Sequence, residues 1–155
     1  MNDLLPNFSS SLMLSMPGFR LYALCAIVLV IKMYAVAIYT AITRGRLKVA
    51  VNVEDGARFG RQVTATEHPE VERVQRAHRN DLENIPAFLI IGLIAVLAGA
   101  PVLGLQICLI AFTAARVAHS VAYLKALQPW RSVSFGVGQL SALSLIVMIL
   151  IRLFS

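Results

Sequence analysis

The chain has 155 residues, 58% of them hydrophobic and 14% charged, with a net charge of +6 and a mean hydropathy of +0.74. Soluble domains carry about 25% charged residues, so the composition excludes an ordinary soluble fold. The length holds four spanning helices of about 20 residues each, and residues 1–155 read as a single membrane domain.

The first predicted helix runs from about Pro17 to Thr43, with Lys32 at its middle between two charge-free runs. Residues 1 to 19 have no basic segment and the apolar run is too long for a leader's core, so no secretory leader is expected. The long connection from Arg44 to His68 carries Arg44, Arg46, Lys48, Arg58 and Arg61. Its portion Asn52 to Gly60 reads as a turn-rich loop folding over the basic face. A second helix opens at Pro69, a suitable first-turn proline, where Glu70 and Glu72 complement the helix dipole. It continues to about Ala98. Gly99-Ala-Pro101 breaks the chain before a third helix, about Val102 to Ala126, and Gln128-Pro129 before a fourth, about Arg131 to Leu153.

These short links predict antiparallel neighbours in an all-α four-helix bundle. The long connection and the Lys125–Arg131 link share one side, while the link at Gly99 is uncharged. The positive-inside rule therefore predicts a cytosolic long loop and both termini on the far side, in a bacterial inner membrane or an endoplasmic reticulum. The same distribution explains the basic balance without nucleic acid. Cys25 and Cys108 lie in apolar segments without a CxxC spacing and are expected to be buried and reduced.

Polar residues gather at the basic ends of the helices. A helix turns about 100° per residue, so positions i, i+3 and i+7 share a face. On the second helix this groups Arg73, Arg76, Asn80 and Glu83, with Arg79 at the edge; on the third it groups Arg116, His119 and Tyr123. Arg131 and Ser132 open the fourth at the same level, and Gln139 lies two turns further in. Cations outnumber the carboxylates Asp81 and Glu83 in this layer, which predicts an anionic ligand. The mixture of guanidinium, amide, imidazole and phenol suits a polyfunctional small molecule. No metal is expected, since His78 and His119 lack clustered carboxylates or thiolates. Lys32 is expected to pair with Glu83 or another carboxylate of the second helix.

The segment Val71-Glu-Arg-Val-Gln-Arg-Ala-His-Arg-Asn-Asp-Leu-Glu-Asn84 resembles the signature of the MAPEG family, the membrane-associated proteins in eicosanoid and glutathione metabolism. Ile31-Lys-Met-Tyr34, Asn52-Val-Glu-Asp55, Arg116-Val-Ala-His-Ser-Val-Ala-Tyr123 and Arg131-Ser-Val-Ser-Phe135 resemble further blocks of its prostaglandin synthase branch. The resemblance runs from the first helix into the fourth. It implies a homotrimer of four-helix protomers, embedded in membrane lipid, with glutathione bound between adjacent subunits near the cytosolic face. It implies glutathione contacts from Arg79, Asn80 and Glu83, from His119 and Tyr123, and from Arg44. It places Arg131 and Ser132 beside the thiol and gives Asp55 a part in prostaglandin isomerisation; Phe135 and Gln139, further along the same helix, are expected to complete the glutathione-binding set. Phe135 stands where the prostaglandin synthases have a tyrosine, and Gly56 where the microsomal glutathione transferase has a reactive cysteine.

The function expected from these implications is a glutathione transferase or peroxidase. A thiolate activated by Arg131 and Ser132 attacks a lipophilic electrophile or hydroperoxide that enters from the lipid. A prostaglandin E synthase-like isomerase is the alternative within enzymes; Asp55 and Arg131-Ser132 favour it, and Phe135 weighs against it. A non-catalytic lipid-binding scaffold is the alternative outside them, and Asn80, Tyr123 and Arg131 argue against it.

Overall fold

The structure, a computed structural model, describes residues 12–155. Four long helices dominate: α1 (Phe19–Leu47), α3 (Pro69–Leu97), α4 (Val102–Leu124) and α5 (Trp130–Phe154). Each is long and apolar enough to cross a membrane. The predicted bounds hold within a few residues. α1 runs four residues past the expected Thr43, where Arg44 and Arg46 complement the negative end of the helix and Lys48, at φ 54°, ends it. Gly18 sets its start. It takes φ 85°, and a Cβ there would lie 2.6 Å from the Leu105 side chain, so the position needs glycine on both counts.

The long connection corrects the sequence expectation. Residues 53–59 form a short helix, α2 (Val53–Phe59), rather than a turn-rich loop. Glu54 and Asp55 suit its first turn, and Gly60 ends it at φ 59°. Gly56 does not break it, because its bare α-carbon is the surface on which the Val63 side chain packs. Two minimal strands, β1 (Val49–Ala50) and β2 (Gln62–Val63), pair in parallel on either side of α2. They add a small ladder to an otherwise all-helical fold. Gln62 N donates to Lys48 O and Thr64 N to Ala50 O, each at 2.9 Å, and these bonds close the segment onto itself.

The larger core cluster lies in the half of the bundle away from this loop, and a smaller one, Val36, Val74 and Ala77, lies nearer to it. Leu29 of α1, Ile85 and Phe88 of α3, Leu105, Leu109 and Phe112 of α4, and Leu145 of α5 are all but inaccessible, with Phe88 and Phe112 stacked. At that far end Arg152 Nε donates to Gly99 O at 2.8 Å and ties the last helix to the α3–α4 link. The outer faces remain apolar. In the most apolar stretch of α1 only 17% of residues are buried, so most of that surface is left for lipid or for other copies of the chain. Cys25 and Cys108 are buried and free, as expected.

Pro86 lies inside α3 and removes the amide that would bond Leu82 O. Two residues before the proline, Asn84 Nδ2 donates to Asn80 O at 2.7 Å. α3 thus lacks one backbone hydrogen bond at the depth where its polar side chains enter the bundle.

Candidate active site

The buried face of α3 passes through Val71, Val74, Ala77, Asp81, Ile85 and Phe88. Asp81 occupies an apolar slot in that row and is fully buried. Lys32 fills the same kind of slot on α1, between Leu29 and Val36, and Arg116 does so on α4, between Phe112 and His119. The three meet. The Lys32 ammonium pairs with Asp81 Oδ1, which also accepts from Arg116 Nη2 at 2.9 Å. Ser120 Oγ donates to the other Asp81 oxygen at 3.5 Å. Lys32 therefore has its expected helix partner, and the partner is Asp81. Removed from water, such a group persists only by mutual neutralisation and hydrogen bonding.

This node reaches outward through Asn80. The second contact of Arg116 Nη2 is Asn80 Oδ1, at 2.5 Å. Asn80 lines a cavity of about 270 Å³ together with His119, Tyr123, Arg131, Ser132 and Phe135. Three helices thus bring six of the sequence-predicted site residues to one place. Inside it the Arg131 guanidinium lies 4.8 Å from the centre of the Tyr123 ring, a cation–π arrangement that fixes its plane. His119 meets Tyr123 edge-on at 5.6 Å and Phe135 at 6.2 Å between ring centres. His119 Nδ1 and Arg116 Nε are buried without a partner among the described residues.

Gln128 is a residue that the sequence reading missed. Oriented to satisfy both its neighbours, its amide oxygen accepts from Arg131 Nε at 3.1 Å and Nη2 at 2.7 Å, and its nitrogen donates to Ser132 Oγ at 3.2 Å. The Ser132 hydroxyl then keeps its own proton free to donate into the cavity. In the sequence Gln128 marks only a helix break beside Pro129. The available signal was its place one helical turn before Ser132.

The other predicted residues lie elsewhere in the protomer. Gln139 Nε2 donates to Asn84 Oδ1 at 2.5 Å, an interhelical bond below the cavity. Arg44 pairs with Glu67, and Nε donates to Glu67 Oε1 at 3.3 Å. Asp55 sits on α2 and accepts from Asn52 Nδ2 at 3.3 Å. The expected α3 stripe is split. Asn80 turns inward, whereas Arg76, Arg79 and Glu83 are exposed along with Glu72, and Arg76 pairs with Glu72 at 2.9 Å. The predicted cationic excess is accordingly smaller in the interior, where two cations face one carboxylate. The physical reason is that the Val71–Val74–Ala77 row fixes the rotation of α3, and Arg79 and Glu83 fall outside the face it buries.

The MAPEG family profile matches residues 22–151. Prostaglandin E synthase of Homo sapiens is 42% identical over 141 residues, covering 90% of this chain and 93% of that protein. Prostaglandin E synthase of Mus musculus is 41% identical, covering 83% and 85%. Microsomal glutathione S-transferase 1 of Homo sapiens is 41% identical over 125 residues, covering 77% and 81%. With four spanning helices, a match over most of its length and relatives of this identity, the chain belongs to the MAPEG family of multi-pass membrane proteins.

Proposed function

We propose that the protein is a glutathione-dependent membrane enzyme, a transferase or peroxidase acting on lipophilic electrophiles or hydroperoxides. The observation that carries this reading is the convergence of Asn80, His119, Tyr123, Arg131, Ser132 and Phe135 on one cavity. Glutathione offers two carboxylates, an ammonium and a thiol, and the cavity offers a guanidinium, a hydroxyl, an amide, an imidazole and a phenol to meet them. A free thiol has a pKa of about 8.5. A guanidinium within about 4–6 Å lowers it by roughly 1–3 units. Arg131, held by Gln128 and by the Tyr123 ring, supplies that charge, and the Ser132 proton donates to the sulfur. The thiolate then attacks an electrophilic carbon and expels its leaving group, such as chloride, to give the thioether; or it attacks a hydroperoxide oxygen, giving glutathione sulfenic acid and an alkoxide that leaves as the alcohol after protonation, and a second glutathione thiol converts the sulfenic acid to glutathione disulfide and water.

Ligand sites commonly hold about 300–1,000 Å³, and this cavity, at about 270 Å³, falls just below that range. The rest of the site belongs to an adjacent copy in a homotrimer. Arg79 and Glu83 on the exposed face of α3, and Arg44 and Asp55 at the loop side, are the groups a neighbour would bring to the ligand or take from it. Charged groups on an exposed face of a spanning helix need a partner other than lipid, and a second copy provides it. The long loop faces the cytosol, where glutathione is available.

A second reading, a prostaglandin E synthase-like isomerase, is favoured by the names of the relatives and by the Arg131–Ser132 pair. One assay separates these readings. Purified protein is offered a chlorinated aromatic electrophile, a lipid hydroperoxide and a prostaglandin endoperoxide, each with and without glutathione. Glutathione-dependent turnover of the first two supports the proposal. Turnover of the endoperoxide alone supports the isomerase, and no glutathione dependence with any substrate refutes both.

A further inference from the structure

A second polar cavity, of about 310 Å³, lies on another side of the protomer, between the end of α1, the start of α3 and the end of α4. Its working groups are Tyr39, Thr43, Arg46, Glu70 and Arg73, and it shares none of its lining with the cavity assigned to glutathione. Arg46 pairs with Glu70 at 2.5 Å. Arg73 is half-buried and makes no ion pair or side-chain hydrogen bond among the described residues. The lining therefore keeps one uncompensated positive charge. Thr43, buried at 2% exposure, spends its proton on Tyr39 O at 2.7 Å, and its oxygen is left to accept.

The cavity does not end in protein. Tyr39 and Leu124 also line an apolar groove of about 250 Å³ between α1 and α4, which continues past Val36 and Val121 to Lys32 and Val117. From Tyr39 to Lys32 is about two helical turns into the membrane span. A basic, hydroxyl-bearing cavity thus adjoins an apolar groove, with Tyr39 and Leu124 as their common wall. A soluble anion has no use for the groove, and a lone carboxylate is small for the cavity.

We propose that the cavity and groove together bind one anionic phospholipid. The phosphate lies between Arg73 and Arg46, the headgroup hydroxyls meet Glu70 and Thr43, and one acyl chain runs along α1 and α4. Guanidinium–phosphate contacts are among the stronger hydrogen bonds available to a protein, and the surplus single charge matches a headgroup of charge −1.

The test is native mass spectrometry of the purified protein in detergent, mixed with equal amounts of phosphatidylglycerol and phosphatidylcholine of the same chains. One phosphatidylglycerol per chain is expected, preferred by about tenfold or more. Arg73→Gln should bring the preference close to unity. Val121→Trp, a change at an exposed position of the groove, should lower the occupancy of both lipids. Equal retention of the two lipids by the wild type, or a preference that survives Arg73→Gln, would overturn the proposal. Three other results would also overturn it: displacement of the lipid by inorganic phosphate alone, retention of oleate in its place, or unchanged occupancy in Val121→Trp. The first of these would mean a headgroup-sized anion site, the second a fatty-acid site, and the third that the groove is not used.

Discussion

Asp81 is the position whose loss should cost the fold most. Its side chain is fully buried, the Arg116 side chain is 1% exposed and Lys32 is 11% exposed, so one carboxylate holds two cations out of water. Asp81→Asn keeps the shape and removes the charge. Arg116 then loses its anionic partner, and only neutral amide oxygens, that of the substituted side chain and that of Asn80, remain to accept from it. Breaking a buried pair from one side costs about 3–5 kcal/mol. At roughly 2–4 °C per kcal/mol for a chain of this size, the melting temperature should fall by about 6–20 °C. Lys32→Met is the contrasting change. It leaves the Arg116–Asp81 pair balanced and should cost only about 1–2 kcal/mol. The double variant Lys32→Met/Asp81→Asn has one unpaired cation fewer than Asp81→Asn. It should be less destabilised than the sum of the singles, with a coupling of about 0.5–3 kcal/mol. The assay is heat-induced loss of the monodisperse peak in detergent, read for all four proteins. Equal costs for the two single changes, adding without coupling, would refute the reasoning, because Asp81 would then not be the shared counter-charge.

The remaining predictions concern the cavity and the assembly. Arg131→Ala should raise the pKa of the bound glutathione thiol and lower turnover strongly while affinity falls less, and Arg131→Lys should recover part of the effect because the charge returns without the planar fork. A pH titration of thiolate absorbance checks this, and an unchanged thiol pKa in Arg131→Ala would make Arg131 a carboxylate anchor instead. Asn80→Ala should weaken glutathione about ten- to a hundredfold, the effect of losing one charge-assisted contact of about 1.5–3 kcal/mol, as read by equilibrium binding. Gln128→Ala frees the Arg131 guanidinium without removing it; kcat should fall severalfold with little change in glutathione affinity, and equal losses in both would assign Gln128 to binding. Mass measurement in detergent should return three chains per particle, and a Glu83→Lys/Arg79→Glu exchange should assemble better than either single change if these groups meet across copies.

The class of the protein and the course of the chain follow from local chemistry alone. Apolar runs longer than about 20 residues have no stable alternative to a spanning helix, and Pro69, Gly99-Ala-Pro101 and Gln128-Pro129 mark the helix limits because proline and glycine act on the backbone locally. The signature around Arg79–Asn84 and the Arg131–Ser132 pair were legible for the same reason: they are contiguous residues. The seven-residue helix α2 was not, since Gly56 is tolerated in it only by virtue of Val63, seven positions away and folded back by the β1–β2 pairing. Nor was the division of the α3 stripe. Its residues are close in angle, and only the rotation fixed by packing Val71, Val74 and Ala77 decides that Asn80 enters the cavity while Arg79 and Glu83 stay outside. The Lys32–Asp81–Arg116 node shows where the boundary lies. Lys32 stood out as a charge between apolar runs, whereas Asp81 and Arg116 read as members of the polar layer; that the three lie at one depth is a property of how the helices are stacked. Depth and rotation are relations between elements, set by the packing of whole faces, and tertiary structure alone decided them.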